Sequence, residues 1–223
     1  MPLSRVLEPE VMDSPEEANA YDAMDHGGVN AAFCADLLAL SPPPDTARVL
    51  DVGTGTALIP IELCRRHPGA RVMGIDLAPS MLEVGRRNVE RAALSGVVSL
   101  GLADAKALAA PDGAFTCVIS NSIIHHIPDP APVLRGALRV LAHGGWLFVR
   151  DLLRPADEAA VRALVATHAA DDTPSQRALF DASLRAALDL AEVRRLAADA
   201  GMAGASIEAT SDRHWTLAYR KAA

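Results

Sequence analysis

A short glycine turn follows the first strongly apolar run of the chain. Residues 49–56 are Val-Leu-Asp-Val-Gly-Thr-Gly-Thr, so Gly53 and Gly55 flank Thr54 where a strand would end. Glycines allow a tight turn and let a ligand approach the backbone closely. The free amides of a helix that begins there favour a negatively charged group. We therefore expect Gly53, Thr54 and Gly55 to bind a nucleotide-like cofactor.

Two carboxylates accompany this turn. Asp51 stands two residues before Gly53, and Asp76 ends the next apolar run. A carboxylate at that second strand end can accept two hydrogen bonds from the vicinal hydroxyls of a ribose. The third glycine that an NAD site needs is missing, because Leu58 stands at its place. Asp51 would repel a pyrophosphate and attract a sulfonium or an α-ammonium group, so the charge favours S-adenosylmethionine over NAD.

The neighbouring histidines His125 and His126 are candidates for acid–base chemistry. The ordinary pKa of histidine suits removal of a proton from a hydroxyl or an amine, and His126 is the better candidate for the acceptor site. The alternative is that the pair packs and forms hydrogen bonds beneath a loop. Adjacent histidines on one turn do not readily face one metal ion, and no H-x3-H spacing is present. We therefore expect no metal site.

Further polar side chains follow the later apolar runs. Arg150, Asp151 and Arg154 come after the run at 146–149, and the C-terminal ends of strands line the crevice of an open α/β sheet. A solvated set of salt bridges is the alternative. The turn at 212–215 reaches the same crevice if the strand before it is parallel to the others, and we expect Arg213 or Arg154 to bind an acidic substrate. The expected substrate-binding residues are Tyr21, Arg150, Arg154, Arg213 and Trp215, and the catalytic candidates are His126 and His214.

Between residues 48 and 149, short apolar runs alternate with segments of helical period. Each run is four to six residues long and mostly apolar on both faces, which is typical of a buried parallel strand. This alternation predicts βαβ units and a doubly wound α/β sheet with helices on both faces. The predicted strands are 48–52, 71–75, 97–100, 115–120 and 146–149, and the predicted helices are 58–67, 79–93 and 132–141.

Residues 1–44 have a different pattern and form a separate predicted unit. A first helix starts at Asp13-Ser14-Pro15, a hinge lies at Gly27-Gly28, and the prolines at 42–44 end the segment. We expect these residues, with Tyr21, Met24 and His26, to form a helical lid over the cofactor. The alternative is a packed extension. The remaining residues, 45–223, form the main domain.

The chain after residue 151 changes its pattern again. Helices are predicted at 155–170, 174–188 and 190–200, and strands at 205–210 and 215–220. The turn at 211–214 joins these two strands, so they predict a hairpin that closes one edge of the sheet.

Residues 49–149 resemble the class I S-adenosylmethionine-dependent methyltransferases, with four motifs in order at the expected spacing. LDVGTGT (50–56) resembles motif I, and GIDLAPSML (74–82) resembles the second motif. LADAKAL (102–108) resembles the acidic motif on the adenine side, and VISNSIIHHIPDP (118–130) the motif of the fourth strand. LRVLAHGGWLFVRD (138–151) is similar to the helix and fifth strand that follow.

This resemblance implies a Rossmann-like sheet of seven strands, the last antiparallel, and in-line transfer of a sulfonium methyl group. It implies that Asp76 binds the ribose, Met81 lies near the adenine and Asn121 lies near the methionine end. Asp104 would accept from the exocyclic amine, or it could only cap a helix. Residues 155–188 stand where the family often inserts a helical cap. The implied cofactor-binding residues are Asp51, Gly53, Thr54, Gly55, Asp76, Leu77, Met81, Asp104, Ala105 and Asn121.

The composition excludes several classes of protein. The 223 residues carry 21 basic and 28 acidic side chains, a net charge of −7, and no block of Lys or Arg, which argues against nucleic-acid binding. No run of 18 apolar residues could span a membrane, and the acidic N-terminus is unlike a signal peptide. Three distant cysteines fit reduced thiols in the cytoplasm. Aromatic residues are only 4%, which argues against a broad aromatic cage around the acceptor.

We therefore expect a cytoplasmic methyltransferase with S-adenosylmethionine as cofactor and a small molecule as acceptor, without nucleic-acid or membrane partners. A homodimer stays open, and so does the choice among O-, N-, C- and S-methylation. An NAD(P)-dependent oxidoreductase and a non-catalytic S-adenosylmethionine-binding protein are the alternatives.

Overall fold

Seven strands form one mixed sheet in the computed structural model, which describes residues 3–10, 13–24, 27–40 and 47–223. Along the chain the strands are β1 (Arg48–Val52), β2 (Arg71–Asp76), β3 (Val98–Leu102), β4 (Phe115–Asn121), β5 (Leu141–Leu152), β6 (Ser206–Ala209) and β7 (His214–Arg220). Their order across the sheet is β3-β2-β1-β4-β5-β7-β6. Strands β1 to β5 pair in parallel, whereas β7 is antiparallel to both β5 and β6. The predicted seven-stranded sheet with an antiparallel last strand is confirmed.

Helices cover both faces of the sheet. They are α1 (Pro15–Asp22), α2 (Gly27–Leu40), α3 (Leu58–Arg66), α4 (Pro79–Arg91), α5 (Ala131–Val140), α6 (Glu158–His168), α7 (Pro174–Ala186) and α8 (Leu190–Asp199). One core cluster packs α5 and α8 against Leu50, Val118 and Val149, and the other packs α2 and α3 against Val49 and Ile119. Successive strand residues thus enter opposite cores, as expected for a sheet buried on both sides.

The start of α1 follows from its local sequence. The Ser14 hydroxyl accepts a hydrogen bond from the Glu17 amide at 3.1 Å, and the Glu17 carboxylate accepts from the Ser14 amide at 3.0 Å. This reciprocal capping satisfies two amides that a helix leaves unpaired, so the predicted helix start is confirmed. The predicted hinge at Gly27-Gly28 is wrong, because both glycines lie in α2. Prolines 42–44, His26 and the predicted boundary at 44/45 lie outside the described residues.

Strand β5 is much longer than the four residues predicted for it. Leu141 pairs with Phe115 of β4 at one end, and Leu152 pairs with His214 of β7 at the other. Apolar runs mark only the part of a strand that is buried on both faces, so the polar ends of β5 gave no strand signal.

The strand order reverses between β1 and β4, where the chain leaves β1 toward β2 on one side and later returns to β4 on the other. Ligands of open α/β sheets bind at such a point, outside the carboxyl ends of the strands. Within the parts of the chain that the structure describes, we find no helix with the length and apolar character needed to cross a bilayer.

Candidate active site

The glycine turn after β1 lies against the end of β4. The Gly53 and Thr54 amides both donate to the Ile75 carbonyl at 2.9 Å, which ties the turn to β2. Gly53 has a φ of +76°, and a Cβ atom there would lie 2.2 Å from Cγ2 of Ile123. Only glycine fits this position, because both the backbone conformation and the space exclude a side chain.

Asp76 ends β2 and is held directly beside this turn. Its Oδ2 accepts from the Gly55 amide at 2.8 Å, and its Oδ1 accepts from the Ala78 amide at 2.9 Å. Burial raises the pKa of Asp76, and these two amides partly oppose the rise. Each carboxylate oxygen has a further lone pair, so Asp76 keeps the capacity to accept from a ligand.

A cleft of about 80 Å³ opens at the ends of β1, β2 and β4. Its lining includes five of the predicted cofactor-binding residues and the catalytic candidate His126. The five are Gly53, Asp76, Leu77, Asp104 and Ala105.

Asp104 has a capping role beside the cleft. Its Oδ1 accepts from the Lys106 amide at 2.8 Å and so caps the short 3₁₀ turn Ala105–Ala107. The Lys106 ammonium lies 3.2 Å from the same oxygen and also pairs with Glu10. The helix-capping alternative for Asp104 is therefore present in the structure, and its adenine contact stays a prediction.

Asp51 is the unusual carboxylate of the site. Its side chain is 2% exposed, and its Oδ2 is buried without a hydrogen-bond partner among the described residues. Burial raises the pKa of Asp51 to about 7, contact with the Thr54 hydroxyl partly opposes the rise, and the charge of Asp76 adds to it. A buried acceptor without a partner is costly, so this atom marks a place where a ligand donor or cation fits.

Helix α1 covers the same corner of the sheet. The Asn88 amide on α4 donates to Asp22 at 2.7 Å, which fixes the end of α1. Tyr21 lies over the turn, with Cε1 3.8 Å from the Cβ position of Gly55. Burial raises the pKa of Tyr21 to about 12, and the charges of Asp76 and Asp51 contribute. Tyr21 thus lies on the cofactor side, although the sequence predicted it for the acceptor.

Three other predicted cofactor residues lie around the cleft without lining it. Met81 is buried with Ala18 and Val84 between α1 and α4. Thr54 is 7% exposed within the glycine turn, and Asn121 is half-buried at the end of β4. Their contacts with a cofactor stay predictions.

Comparison with known proteins agrees with this geometry. The family described as a methyltransferase domain matches residues 50–149. Those residues hold the glycine turn, Asp51, Asp76 and Asp104. This match to a methyltransferase domain covers a little under half of the chain.

Two curated relatives of this methyltransferase domain are similar in sequence. Demethylmenaquinone methyltransferase of Thermus thermophilus is 42% identical over 118 residues, which are 53% of this chain and 52% of that protein. Trans-aconitate 2-methyltransferase of Streptomyces coelicolor is 34% identical over 127 residues, 56% of this chain and 42% of that protein. The chain therefore spans about half the length of the curated relatives it matches.

Solved structures share the fold over nearly the whole chain. An S-adenosylmethionine-dependent methyltransferase from Aquifex aeolicus superposes with a TM-score of 0.67 at 16% identity, over 93% of this chain and 98% of that one. Phosphoethanolamine N-methyltransferase 2 of Haemonchus contortus superposes with a TM-score of 0.72 at 17% identity, over 94% of this chain and 58% of that one. These likenesses show that the described chain beyond the methyltransferase domain also follows this fold.

Two predicted substrate-binding arginines are structural. Arg150 donates from Nη2 to Asp36 at 2.6 Å and from Nε to Thr216 at 2.9 Å, and its guanidinium lies 5.6 Å from the Phe148 ring. Arg154 donates to the Ala187 carbonyl at 3.0 Å and pairs with Asp189 and Glu192. The expectation that these two arginines bind the substrate is therefore corrected. Arg150 joins α2 to the sheet, and Arg154 joins the end of α7 to α8.

The turn before β7 gives a mixed result. Trp215 is 1% exposed and belongs to the core beneath α8, so its predicted substrate contact is wrong. Burial lowers the pKa of His214 to about 4, helped by the charge of Arg213, which makes it a weak base near neutral pH. Arg213 lies 6.0 Å from the Phe180 ring, and its Nη1 is buried without a hydrogen-bond partner among the described residues.

The histidine pair contacts a residue that sequence reasoning missed. The rings of His125 and His126 are tilted by 35° with centroids 4.1 Å apart, and both approach the Glu8 carboxylate. The two adjacent histidines thus face one carboxylate, contrary to the expectation that they do not readily face one metal ion. His125 also contacts Asp151 at 2.5 Å. Glu8 lies in a segment without any periodic pattern, so no local signal could have found it.

Proposed function

We propose that the protein transfers a methyl group from S-adenosylmethionine to a small-molecule acceptor. The observation that carries this proposal is the buried Oδ2 of Asp51 beside the glycine turn, which has no hydrogen-bond partner among the described residues. A cation is the ligand group that lets a buried carboxylate ionise, and S-adenosylmethionine carries a sulfonium and an α-ammonium. A pyrophosphate at the same position would raise the cost of ionising Asp51 further.

The chain's own residues divide the binding among three carboxylates. In the proposed complex, Asp51 faces the cationic end, Asp76 accepts from the ribose hydroxyls, and Asp104 with the Ala105 amide faces the adenine. When bound, the cofactor supplies an electrophilic methyl group on sulfur. The protein aligns the acceptor with it, and such alignment can contribute about 7–11 kcal/mol in favourable cases.

Ligand binding tests this proposal against its alternatives. We expect calorimetry to show binding of S-adenosylhomocysteine and S-adenosylmethionine and no binding of NADH. Binding of NADH alone would support an oxidoreductase and overturn the proposal. Tight cofactor binding without methyl transfer to any of a broad set of metabolites would favour a non-catalytic binding protein.

We propose Arg213 as the residue that binds an anionic group of the acceptor. Its buried Nη1 lacks a hydrogen-bond partner among the described residues, and a carboxylate or phosphate would satisfy it. Two relatives above are named for a quinone and an acidic acceptor, and this arginine favours the acid. We expect Arg213→Ala to raise the KM for acidic acceptors about tenfold or more with unchanged cofactor affinity, a loss of roughly 1.5 kcal/mol or more. The matched control is Arg195→Ala, because Arg195 is exposed on α8. An unchanged KM would overturn the assignment.

The remaining parts of the proposal concern organisation. His126 stays the proposed catalytic residue on the acceptor side, because it lines the cleft. We propose residues 1–44 as a lid and 155–188 as a helical cap on the main domain. The three buried free thiols support a cytoplasmic location. Absence of nucleic-acid binding and a homodimeric state are parts of the proposal that need their own measurements.

A further inference from the structure

Three potential metal ligands converge beneath the N-terminal segment 3–10. Within the described residues, a ligand atom from each of Glu8, His125 and His126 lies within 4.8 Å of the other two. We propose that these three side chains bind a divalent metal ion of the zinc class through Glu8 Oε1, His125 Nε2 and His126 Nδ1. The proposed cofactor contacts of Asp51, Asp76 and Asp104 do not involve this ion, but His126 belongs to both proposals, so cofactor binding and metal binding are measured separately.

The distances among these atoms are compatible with a shared ion, although the shorter one is also within hydrogen-bond range. Glu8 Oε1 lies 3.1 Å from His126 Nδ1 and 3.6 Å from His125 Nε2. Ligand atoms about 2.0–2.1 Å from zinc at tetrahedral angles are roughly 3.3 Å apart, and the two distances bracket this value. The 3.6 Å contact is too long for a hydrogen bond.

Two of the three ligand atoms also lack a hydrogen bond within the described ranges of the chain. Glu8 Oε1 and His126 Nδ1 are both buried without such a partner there, although they are neighbours. The Glu8 side chain is only 9% exposed, so water does not readily satisfy its oxygen. An ion between these two buried atoms would satisfy both of them.

His125 has the second contact that metal-bound histidines usually have. Its Nδ1 lies 2.5 Å from Asp151 Oδ1, and Asp151 also accepts from the Ile124 and Leu152 amides at 2.5 and 2.6 Å. Asp151 therefore holds His125 by its Nδ1, which leaves Nε2 directed toward Glu8. A carboxylate that fixes a histidine in this way orients the ring and strengthens it as a ligand.

The N-terminal segment holds Glu8 in place. Arg5 donates to the carbonyls of Ala186 at 2.7 Å and Ile127 at 2.9 Å, which fixes the segment across the loop after β4. The Ser183 hydroxyl donates to Glu8 Oε2 at 3.2 Å, so Oε1 is the oxygen left for the ion. Three protein ligands leave one position of a tetrahedral ion open, and His126 lines the cofactor cleft.

Cobalt titration of the metal-free protein tests the proposal. We expect one equivalent of Co²⁺ to bind with a visible absorption band, and Zn²⁺ to displace it. Glu8→Gln should weaken cobalt binding at least about tenfold, and Asp151→Asn should weaken it about 10–100-fold by releasing His125. The controls are Glu10→Gln, on the same segment, and His143→Asn, an exposed histidine, and both should bind cobalt like the wild type.

Several outcomes would overturn this inference. The wild type could fail to bind cobalt, Glu8→Gln could bind it as well as the wild type, or His143→Asn could lose the ion equally. If the three side chains form only ion pairs and share protons, the wild type should fail to bind cobalt. If Glu8→Gln does not fold, X-ray absorption of the zinc-loaded wild type decides, because two imidazoles and one carboxylate support the site and a sulfur ligand contradicts it. Cofactor binding is measured in parallel, so failure of the metal site is distinguishable from failure of the proposed function.

Discussion

The substitution Asp51→Asn should separate stability from cofactor binding. The folded protein keeps the Asp51 carboxyl in a buried place, where burial raises its pKa from 3.8 to about 7. A group whose pKa is raised on folding binds more protons in the folded state, so its contribution to stability falls as the pH rises toward the folded pKa. Asparagine does not ionise, so the stability of the ligand-free variant does not fall with pH through this position.

The size of the effect follows from the shift. Each pKa unit corresponds to about 1.36 kcal/mol, and between pH 5 and pH 8 the wild type loses roughly 2.5 kcal/mol through Asp51. The buried amide that Asp51→Asn introduces has a fixed cost of about 1–3 kcal/mol, because its NH₂ group lacks an acceptor. This cost does not depend on pH, so it cancels when the two pH values are compared. In a chain of this length the difference amounts to about 5–10 °C in Tm.

Denaturant unfolding of ligand-free wild type and Asp51→Asn at pH 5 and pH 8 measures the effect. We expect the free energy of unfolding of the variant, relative to wild type, to rise by about 2.5 kcal/mol between the two pH values. Asp171→Asn, on the exposed turn after α6, is the control and should show no such rise. The same Asp51→Asn protein should bind S-adenosylmethionine about 10–100-fold more weakly, since it lacks the charge. A pH-independent difference would refute the reasoning.

Three further predictions concern the site and its support. Asp76→Asn should weaken S-adenosylhomocysteine binding about 10–100-fold in calorimetry, because one ribose hydroxyl loses its charged acceptor, and unchanged affinity would contradict the assignment. Gly53→Ala should lower the free energy of unfolding by about 3 kcal/mol or more, because its Cβ would meet Ile123 at 2.2 Å, and Ile123→Ala should restore part of the loss in the double mutant. No rescue would show that backbone strain dominates. Ala93→Gly should stabilise the protein by about 1 kcal/mol in denaturant unfolding, because Ala93 has a φ of 59°, whereas Ala92→Gly, at a φ of −79°, should destabilise it. Stabilisation by both would contradict the argument.

The sheet and the positions of the glycine turn, Asp51 and Asp76 could be predicted because their signals are local. A buried strand is a continuous apolar run, and the glycine turn with Asp51 and Asp76 stands at the ends of two such runs. Parallel strands then bring these ends together at one edge without any knowledge of side-chain contacts.

The prediction for the acceptor side, which included Arg150 and Trp215, used the position of each residue along its strand and not the face of the sheet to which its side chain points. Arg150 stands two residues after Phe148 on β5, so it enters the same core as that ring and meets Asp36 there. Trp215 shares a face with Leu217 and is buried with it. Side chains alternate between the two faces of a strand up to its last residue. This alternation places Arg150 and Trp215 in the cores and not in the expected substrate site.

Two aspartates at strand ends show how partners decide the role of a buried carboxylate. Asp51 ends near the glycine turn without a partner for Oδ2 among the described residues, and burial raises its pKa to about 7. Asp151 is equally buried at the end of β5, but His125 and two backbone amides hold its pKa below the ordinary value. Three hydrogen bonds leave Asp151 at most one free lone pair, and its Oδ1 is held against His125. Asp51 Oδ2 accepts no hydrogen bond among the described residues, which supports our proposal that the cofactor's positive charge lies beside β1 and not beside β5.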